Sequence, residues 1–549
     1  MYNPLHLYWE SFQFILLGFF LFFLVIEKRY EDRKNITTIL ASLTAILFSV
    51  YFFGPNLKAQ WWLIDDHEVF YFLKSKTEPS GWKNYFDILL NLTEVGNFGD
   101  AQRYRVSYYA LRIFEVLLWK DNALVWYLIR FFISTFFIFS LLRILLLRFP
   151  LTISCLFVLS VFSFRYWSDI FSRMATSELY IVFGISLLLT AFSCYKPKEK
   201  NSVWIYLLIS LGTIVCLGSK ENFIILTAIP IGILFWERSK DTSWWNRMIL
   251  VFPILYSALI VISLYLFFKK VPVDIYGNRV SLSEKLAVFL TKFVNEFTIG
   301  IFALIVAFLA FSILEFIKIR KVKISIWFFL PLVFLGILLF NIVFYSGVWP
   351  TNSRYDFPGM ILYQGAILAL VFLIVSVVLR LFEVDIKHRD LVVNVVLIFF
   401  LCSVTSVKGI TDLQRDSRTN MKRTQAFTSF LKEFLSDSSD RVIILYVHQA
   451  FDFEPVDAMT RFLNYYGDKK ERMILVSESK AESDFKNGLL NYMRTLSKEG
   501  SPERNVIPFD SKKLKNRSCV LLFFPPASIE DAPNIPECKE YKKEIVPFQ

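Results

Sequence analysis

The sequence has few of the residues that build transition-metal or nucleotide sites. Its 549 residues include only four His and six Cys, and no spacing among them resembles a zinc site. No glycine-rich phosphate loop opens a helix predicted in the C-terminal region, so no nucleotide is assigned to that region. Charged residues make up only 20% of the chain. Because so few polar residues could not cover the surface of a protein this size, a soluble protein is excluded.

What the chain has in abundance is apolar and aromatic residues. Hydrophobic residues make up 55% of it, with 59 Phe, and the mean hydropathy is +0.48. This composition predicts an α-helical polytopic membrane protein. The net charge of +12 could indicate a nucleic-acid partner. Much of that charge, however, lies in short loops between apolar runs, where it sets membrane orientation, so no nucleic acid is expected.

Twelve apolar runs are long enough, or nearly so, to cross a bilayer, for which a helix needs roughly 20 residues. The predicted spans are 10–26, 37–54, 123–143, 150–166, 178–195, 203–219, 222–236, 248–268, 297–317, 325–345, 357–380 and 391–407. The runs 150–166 and 222–236 are the shortest and weakest.

The distribution of Lys and Arg predicts the orientation of these spans. Six alternate loops together hold 19 Lys or Arg, and such loops face the cytoplasm. They are 27–35, 143–149, 196–202, 237–247, 318–323 and 380–390. Both termini, the long loop 55–122 and the tail 408–549 are therefore expected outside the cytoplasm, with a bacterial inner membrane as the expected location.

The chain is expected to divide into a membrane domain, 1–407, and a soluble tail, 408–549. In the tail, apolar runs at 441–447, 473–477 and 519–524 alternate with helical patterns at 421–435, 455–466 and 482–497. Strands separated by helices predict a small α/β domain. Cys519 and Cys538 lie in this polar region and could form a disulfide if it faces an oxidising compartment.

The most unusual polar cluster is Asp65-Asp66-His67-Glu68, which follows an aromatic pair just after the second span. Adjacent carboxylates at a membrane boundary are costly unless something pairs or uses them. Repulsion between Asp65 and Asp66 would raise the pKa of one carboxyl, which suits a general base, or a divalent cation could relieve it. If there is a metal, its ligands would be Asp65, Asp66 and Glu68; the alternative is a solvated turn.

Two further clusters are predicted on the same outer side. Lys220 and Glu221 lie between two apolar runs, and Lys220 could meet a phosphate in an outward cavity. The alternative is an ion pair closed within the hairpin. Arg354 and Tyr355 precede the span that starts near Pro358; the arginine could bind a phosphate and the tyrosine a sugar, or both could anchor the helix at the interface.

Weaker signals complete the set. Arg103 and Arg105 precede an amphipathic stretch at 107–118 that predicts a helix lying in the interface, and they favour lipid headgroups. Arg173 and Glu178 lie at the outer end of the fifth span. Helix capping accounts for Glu178, so catalysis is not expected there.

The order and shared side of these motifs resemble the GT-C superfamily of membrane glycosyltransferases, which use lipid-linked sugars. The resemblance rests on Asp65-Asp66-His67-Glu68 in the first long outer loop, Ser-Lys-Glu at 219–221, and Arg-Tyr-x-x-Pro at 354–358. It covers roughly residues 37–380, with an extra span before it. In that family the loop acid is the catalytic base, which implies Asp65 first and Asp66 second, with Lys220 and Arg354 as phosphate contacts.

The resemblance implies transfer of a sugar from a polyprenyl-phosphate donor to a glycan, lipid or protein acceptor, with inversion at the anomeric carbon. Membrane lipids are the other expected partners, and no cofactor beyond a possible divalent cation is implied. Two alternatives stay open: a transporter or flippase of a lipid-linked glycan, and a non-catalytic subunit in glycan assembly. Transporters place charges near mid-membrane, whereas the centres of the predicted spans contain few.

Overall fold

The computed structural model describes most of the chain. The described residues are 11–27, 34–66, 68–70, 72–73, 105–196, 201–236, 243–268, 357–436, 441–449, 452–467, 471–477 and 506–547, with 283, 287 and scattered positions between 303 and 317.

Fourteen long or short α-helices account for most of the described residues. They are α1 (Ser11–Glu27), α2 (Lys34–Phe53), α3 (Val106–Trp119), α4 (Ala123–Leu145), α5 (Leu151–Val161), α6 (Tyr166–Phe171), α7 (Ser177–Cys194), α8 (Val203–Leu217), α9 (Ala228–Trp236), α10 (Trp244–Phe268), α11 (Phe357–Leu381), α12 (Ile386–Val404), α13 (Val407–Ser436) and α14 (Phe453–Tyr465). Short 3-10 helices cover Gly54–Lys58, Glu221–Thr227 and Ser511–Leu514.

Within the described residues, four helical segments are long and apolar enough to cross a membrane: Thr37–Lys58, Ala123–Leu145, Ser177–Cys194 and Trp244–Ser263. The pair α12 and α13 meets the same criterion as one bent unit, with an angle of 56° at the break. Shorter apolar helices lie at five more of the predicted positions. The predicted span 325–345 lies outside the described residues, and 297–317 is described only at scattered positions, so the count of about twelve stays a prediction.

The predicted span 150–166 differs from the structure. Helix α5 ends at Val161, and a separate six-residue helix, α6, follows from Tyr166. The chain bends here beneath a stack of aromatic rings in which Trp167 packs on Phe162, with ring centroids 4.7 Å apart. An apolar run cannot reveal such a break, because both halves are equally hydrophobic.

Helices α7 and α8 cross in close contact where two glycines face each other. A Cβ atom at Gly184 would lie 2.8 Å from the carbonyl oxygen of Gly212, and one at Gly212 would lie 2.7 Å from that of Gly184. Small residues allow helix backbones to approach in this way inside a membrane. The crossing fixes α7, which begins with Ser177 and Glu178, against α8, which ends three residues before Lys220.

Loops gather at the two ends of the helical bundle. At one end, here called the site end, the backbone N–H of Met174 donates to Asp66, and Lys220 pairs with Glu178. At the other, here called the opposite end, Glu27 accepts the backbone N–H of Thr152. The contacts of Asp66 and Lys220 thus lie at one end of the bundle and that of Glu27 at the other, and the orientation of the two ends stays a prediction.

The tail contains a five-stranded parallel sheet, in the order β3-β2-β1-β4-β5. The strands are β1 (Val442–Val447), β2 (Arg472–Val476), β3 (Val506–Pro508), β4 (Ser518–Phe523) and β5 (Glu540–Ile545). Strands β1, β2 and β4 match the three predicted runs. The short β3 and the charged β5 were not predicted, because neither has an apolar run. The helix predicted at 482–497 lies outside the described residues.

A disulfide joins Cys519 of β4 to Cys538, just before β5. The sequence left this pairing open, and the structure forms it. The remaining cysteines are free and lie in the apolar helices: Cys155, Cys194, Cys216 and Cys402.

The tail packs directly on the loop that follows α2. Trp62 of this loop contacts Phe427 of α13, and Phe70 contacts Phe462 of α14, with ring centroids 6.5 and 4.3 Å apart. All four side chains are buried in one shared hydrophobic core. This loop, which carries Asp65 and Asp66 and is called the acidic loop below, is therefore held between the membrane helices and the tail.

Candidate active site at the acidic loop

Two neighbouring carboxylates in the acidic loop have different surroundings. Asp65 has a backbone φ of +67°, a left-handed conformation that is costly for a residue with a side chain and is concentrated at functional positions. Its side chain is 19% exposed, and Oδ2 lies 3.1 Å from Nη1 of Arg173. Asp65 is thus an ion-paired carboxylate that remains accessible to solvent.

Asp66, in contrast, is fully buried. Its two carboxylate oxygens accept the backbone N–H groups of Trp62, at 2.8 Å, and Met174, at 2.9 Å. Burial raises the pKa of Asp66 to about 7, against the opposing effect of these two hydrogen bonds. Asp66 therefore links the acidic loop to the segment before α7, and its complete burial keeps its carboxyl group away from a substrate.

In the segment before α7, buried side chains donate hydrogen bonds to four consecutive backbone carbonyl groups. Tyr127 donates to Ser172, and Nε of Arg130 donates to Arg173. Both Arg112 and Arg130 donate to Met174, and the hydroxyl of Tyr108 lies 2.9 Å from the carbonyl of Ala175. These donors come from α3 and α4. They form a rigid support, here called the carbonyl clamp and defined by Tyr108, Arg112, Tyr127 and Arg130.

Arg173 projects from this supported segment into the acidic loop. It bridges two acids, Asp65 at 3.1 Å and Asp169 at 3.4 Å. Because the carbonyl clamp fixes the backbone on both sides of Arg173, the position of the guanidinium against Asp65 is fixed as well. A misplaced arginine would weaken any reaction at Asp65, since reacting groups must be held to within a fraction of an ångström.

A buried charge cluster lies behind the carbonyl clamp. Nη1 of Arg112 is 3.1 Å from Glu115, and Glu115 also accepts the hydroxyl of Tyr180. The Arg112 guanidinium lies between aromatic faces, 5.4 Å from the ring centre of Trp126 and 5.3 Å from that of Tyr180. Burial raises the pKa of Glu115. Because these groups are sealed from solvent, they support the site rather than contact a substrate.

Lys220 is buried and paired. Its Nζ lies 2.5 Å from Oε1 of Glu178, and the two side chains are only 3% and 5% exposed. The pair joins the start of α7 to the end of α8. From the sequence, Glu178 was predicted to cap the start of a helix. In the structure it also forms an ion pair with a lysine 42 residues away. A phosphate contact from Lys220 would first have to break this ion pair.

Helix α13 of the tail forms one wall of the site. Asn420 donates to Asn56 at 3.0 Å, and Thr424 accepts the backbone N–H of Gln60 at 2.9 Å. The guanidinium of Arg423 lies 4.4 Å from the ring centre of Trp62. The sequence predicted α13 as part of the tail, and in the structure its side chains contact Trp62 and residues before it, Asn56 and Gln60.

Of the remaining predicted site residues, Glu68 and Arg105 are described in full. Glu68 lies 2.5 Å from the hydroxyl of Tyr108, and Arg105 precedes the first residue of α3. Glu221 begins a 3-10 helix. His67, Arg103, Arg354 and Tyr355 lie outside the described residues, so their contributions stay predictions.

The carboxylates proposed as metal ligands have different partners. Asp65 bonds to Arg173, Asp66 to two backbone N–H groups and Glu68 to Tyr108. No group of three His, Cys, Asp or Glu suited to a metal ion occurs in the described part of the chain. The possible divalent cation of the sequence analysis therefore has no converging ligand set among these residues.

Sequence reasoning missed several residues of the site. Arg112, Arg130 and Arg423 were not singled out, and Arg173 was considered only as part of a helix end. One signal was available: Arg130 and Arg112 interrupt apolar helical stretches, and a charge at such a position is costly without a partner. Their partners are backbone carbonyls and Glu115, which no local pattern identifies.

No family model matches the chain, and no curated protein matches its sequence. Among solved structures, the chain is similar to the apo crystal structure of the oligosaccharyltransferase of Archaeoglobus fulgidus. The identity is 12% and the TM-score 0.38; the match covers 81% of this chain and spans 65% of the length of that one. At this level the similarity identifies neither a family nor an activity. By its own helices and sheet, the chain is a mostly helical membrane protein with a small parallel α/β region.

Proposed function

We propose that the protein is a membrane glycosyltransferase of the GT-C type. In this proposal it moves a sugar from a polyprenyl-phosphate donor to a hydroxyl of a glycan, lipid or protein acceptor. The observation that carries the proposal is the state of Asp65: an accessible carboxylate, in a strained backbone conformation, held by Arg173 beside a buried charge network. Strain of this kind persists only where the surroundings enforce it.

In the proposed reaction, Asp65 is the general base. The acceptor hydroxyl attacks the anomeric carbon from the face opposite the leaving phosphate, and its proton passes to a carboxylate oxygen of Asp65. The bond from the anomeric carbon to the phosphate oxygen breaks, and the electron pair leaves with the polyprenyl phosphate. One displacement of this kind inverts the configuration and needs a single base.

Asp66 has a different role in this proposal. Since both of its oxygens accept backbone N–H groups, it holds the loop and the segment before α7 together. Asp65 and Asp66 are therefore not interchangeable. The two predicted catalytic acids divide into one base and one structural anchor.

The site end is proposed to face outside the cytoplasm. The tail packs on the acidic loop and carries the Cys519–Cys538 disulfide, and disulfides persist in oxidising compartments. The charge bias of the opposite loops favours the same orientation. A lipid-linked donor suits this side, where the reaction would need no nucleotide.

The test is a transfer assay on the full-length protein in nanodiscs with polyprenyl-phosphate sugars and short glycan acceptors. Wild type should release polyprenyl phosphate and form a product of inverted configuration. Asp65→Asn should lower turnover by roughly 10²- to 10⁴-fold, because it removes the base. The matched control is Asp169→Asn, which removes the second acid that Arg173 contacts and should leave most of the turnover. Equal turnover in Asp65→Asn and wild type would remove Asp65 from the reaction.

A further inference from the structure

Arg423 of helix α13 is held in one orientation at the acidic loop. Its Nε and Nη2 both donate to Oδ1 of Asn420, at 3.3 and 3.2 Å, and its plane lies over Trp62. Asn420 is itself buried and bonded to Asn56. The guanidinium is therefore fixed before any ligand arrives, so little conformational entropy would be lost on binding.

This fixed guanidinium has no acidic partner within 4.0 Å among the described residues, and its Nη1 donates to none of them. Arg130 differs, because all three of its nitrogens donate to backbone carbonyls. Arg173 differs as well, because it bridges Asp65 and Asp169. Arg423 is half-buried, and a partly desolvated guanidinium without a carboxylate gains from pairing with an anionic ligand.

The charges around Arg423 favour an anion at this position. Arg173 and Arg423 are close enough to repel each other, while Asp66 and Asp169 lie within electrostatic range of Arg423 without pairing to it. The carboxylate of Asp65 is already held by Arg173. An anionic group beside Nη1 of Arg423 would relieve the repulsion between the two guanidiniums and complete the pairing.

We propose that Arg423 binds the phosphate group of the lipid-linked donor, so that the tail helix α13 supplies a residue to the site. This inference rests on the proposed function, which supplies the donor. Phosphate is the anion that suits this guanidinium in the proposed reaction, because the leaving group gains negative charge as the glycosidic bond breaks. Asn420 then acts as the positioning residue for Arg423. The site is incomplete without the tail.

The experiment measures binding of sugar-free polyprenyl phosphate to the full-length protein in nanodiscs of zwitterionic lipid. Arg423→Gln should raise the Kd by about 10- to 100-fold, as expected for loss of a hydrogen bond between charged groups. Lys422→Gln is the matched control, since Lys422 is the exposed neighbour on the same helix. It should leave the Kd unchanged. Arg423→Lys keeps the charge but loses the fork and should give an intermediate Kd.

Three outcomes would overturn the inference. One is an unchanged Kd in Arg423→Gln; if that variant does not fold, an unchanged Kd in Arg423→Lys has the same meaning. Another is an equal loss in Lys422→Gln, which would indicate general surface charge. The third is competition by phosphatidylglycerol as strong as that by polyprenyl phosphate, which would assign the site to bilayer headgroups.

The transfer assay separates this inference from the proposed function. A wild type that binds polyprenyl phosphate through Arg423 but transfers no sugar would overturn the proposed function and support the phosphate site. A wild type that transfers sugar, with the KM for the donor unchanged in Arg423→Gln, would overturn the phosphate site and leave the proposed function standing.

Discussion

The two ends of the helical bundle handle charge differently. At the site end, charged side chains are buried and bonded to distant segments: Asp66, Arg112, Glu115, Arg130, Glu178 and Lys220. At the opposite end, Glu27 is only partly buried, and the exposed Arg143 approaches Cys194 at 3.1 Å. Both ends terminate helices of the same bundle, so helix termination alone does not require buried charge.

The difference has a physical meaning. Burying a charge costs several kcal/mol unless hydrogen bonds and opposite charges compensate. At the site end, part of this compensation comes from the hydrogen bonds of the carbonyl clamp, which fix the backbone at residues 172–175. A protein selected only to span a membrane would have no need of this arrangement. The buried charges hold the backbone around Asp65 and Arg173 in place.

The largest effect is expected from the titration of Asp66. Burial raises the pKa of Asp66 to about 7 in the folded protein, whereas it is near 4 in the unfolded chain. At pH values between these two, the Asp66 carboxyl group is therefore protonated only in the folded state. The wild type should therefore lose stability as pH rises from about 4 to about 7, by up to about 4 kcal/mol in total, with little further change above 7. Urea unfolding in mixed micelles measures this. In Asp66→Asn, the free energy of unfolding should not fall over this pH range. If it fell as steeply as in the wild type, the burial of Asp66 would not be the cause.

The next effect compares two arginines of α4. Arg130 lies in the carbonyl clamp at the site end, and Arg143 is exposed at the opposite end. Arg130→Met should lower the free energy of unfolding by about 3 kcal/mol, because it leaves carbonyls of the clamp unbonded. Arg143→Met should change it by less than about 0.5 kcal/mol. The same unfolding assay measures both variants. Similar losses of unfolding free energy would show that the arginine at the site end is no more important for stability than the one at the opposite end.

The smallest effect lies at the opposite end. Glu27 caps the start of α5 from outside that helix: its carboxylate accepts the N–H groups of Leu151 and Thr152, at 2.5 and 2.9 Å. Glu27→Gln should cost about 1 kcal/mol, since it replaces a charged acceptor of two backbone N–H groups by a neutral one. Asp385→Asn is the matched control, because Asp385 precedes α12 without a side-chain capping bond. A cost equal to that of Arg130→Met would mean that the opposite end is as tightly built as the site end.

Much of the architecture could be predicted from local sequence. Apolar runs gave the helices, because a helix that meets lipid must be hydrophobic along its length. The three apolar runs of the tail gave β1, β2 and β4, since strands buried on both faces of a parallel sheet read as continuous apolar segments. Hydropathy could not predict the break between α5 and α6, because the chain is apolar on both sides of it. It could not predict the charged edge strand β5 either, because that strand has no apolar run.

The acidic loop could be picked out by composition, but the roles of its members could not. Asp65 and Asp66 are identical neighbours in sequence, and only the folded chain separates them, by turning one toward Arg173 and enclosing the other between two backbone N–H groups. Likewise, Lys220 pairs with Glu178, 42 residues away, a partner that the hairpin sequence does not suggest.

By itself, the sequence determined the positions of most of the apolar helices and that a small α/β region follows, and it predicts which loops share a side. These properties depend on hydrophobicity and charge that are local or additive along the chain. Only the tertiary structure decided that α13 reaches the acidic loop and that the clamp holds the backbone before α7. Such contacts join residues far apart in sequence, and their energies depend on burial, which is a property of the packed molecule.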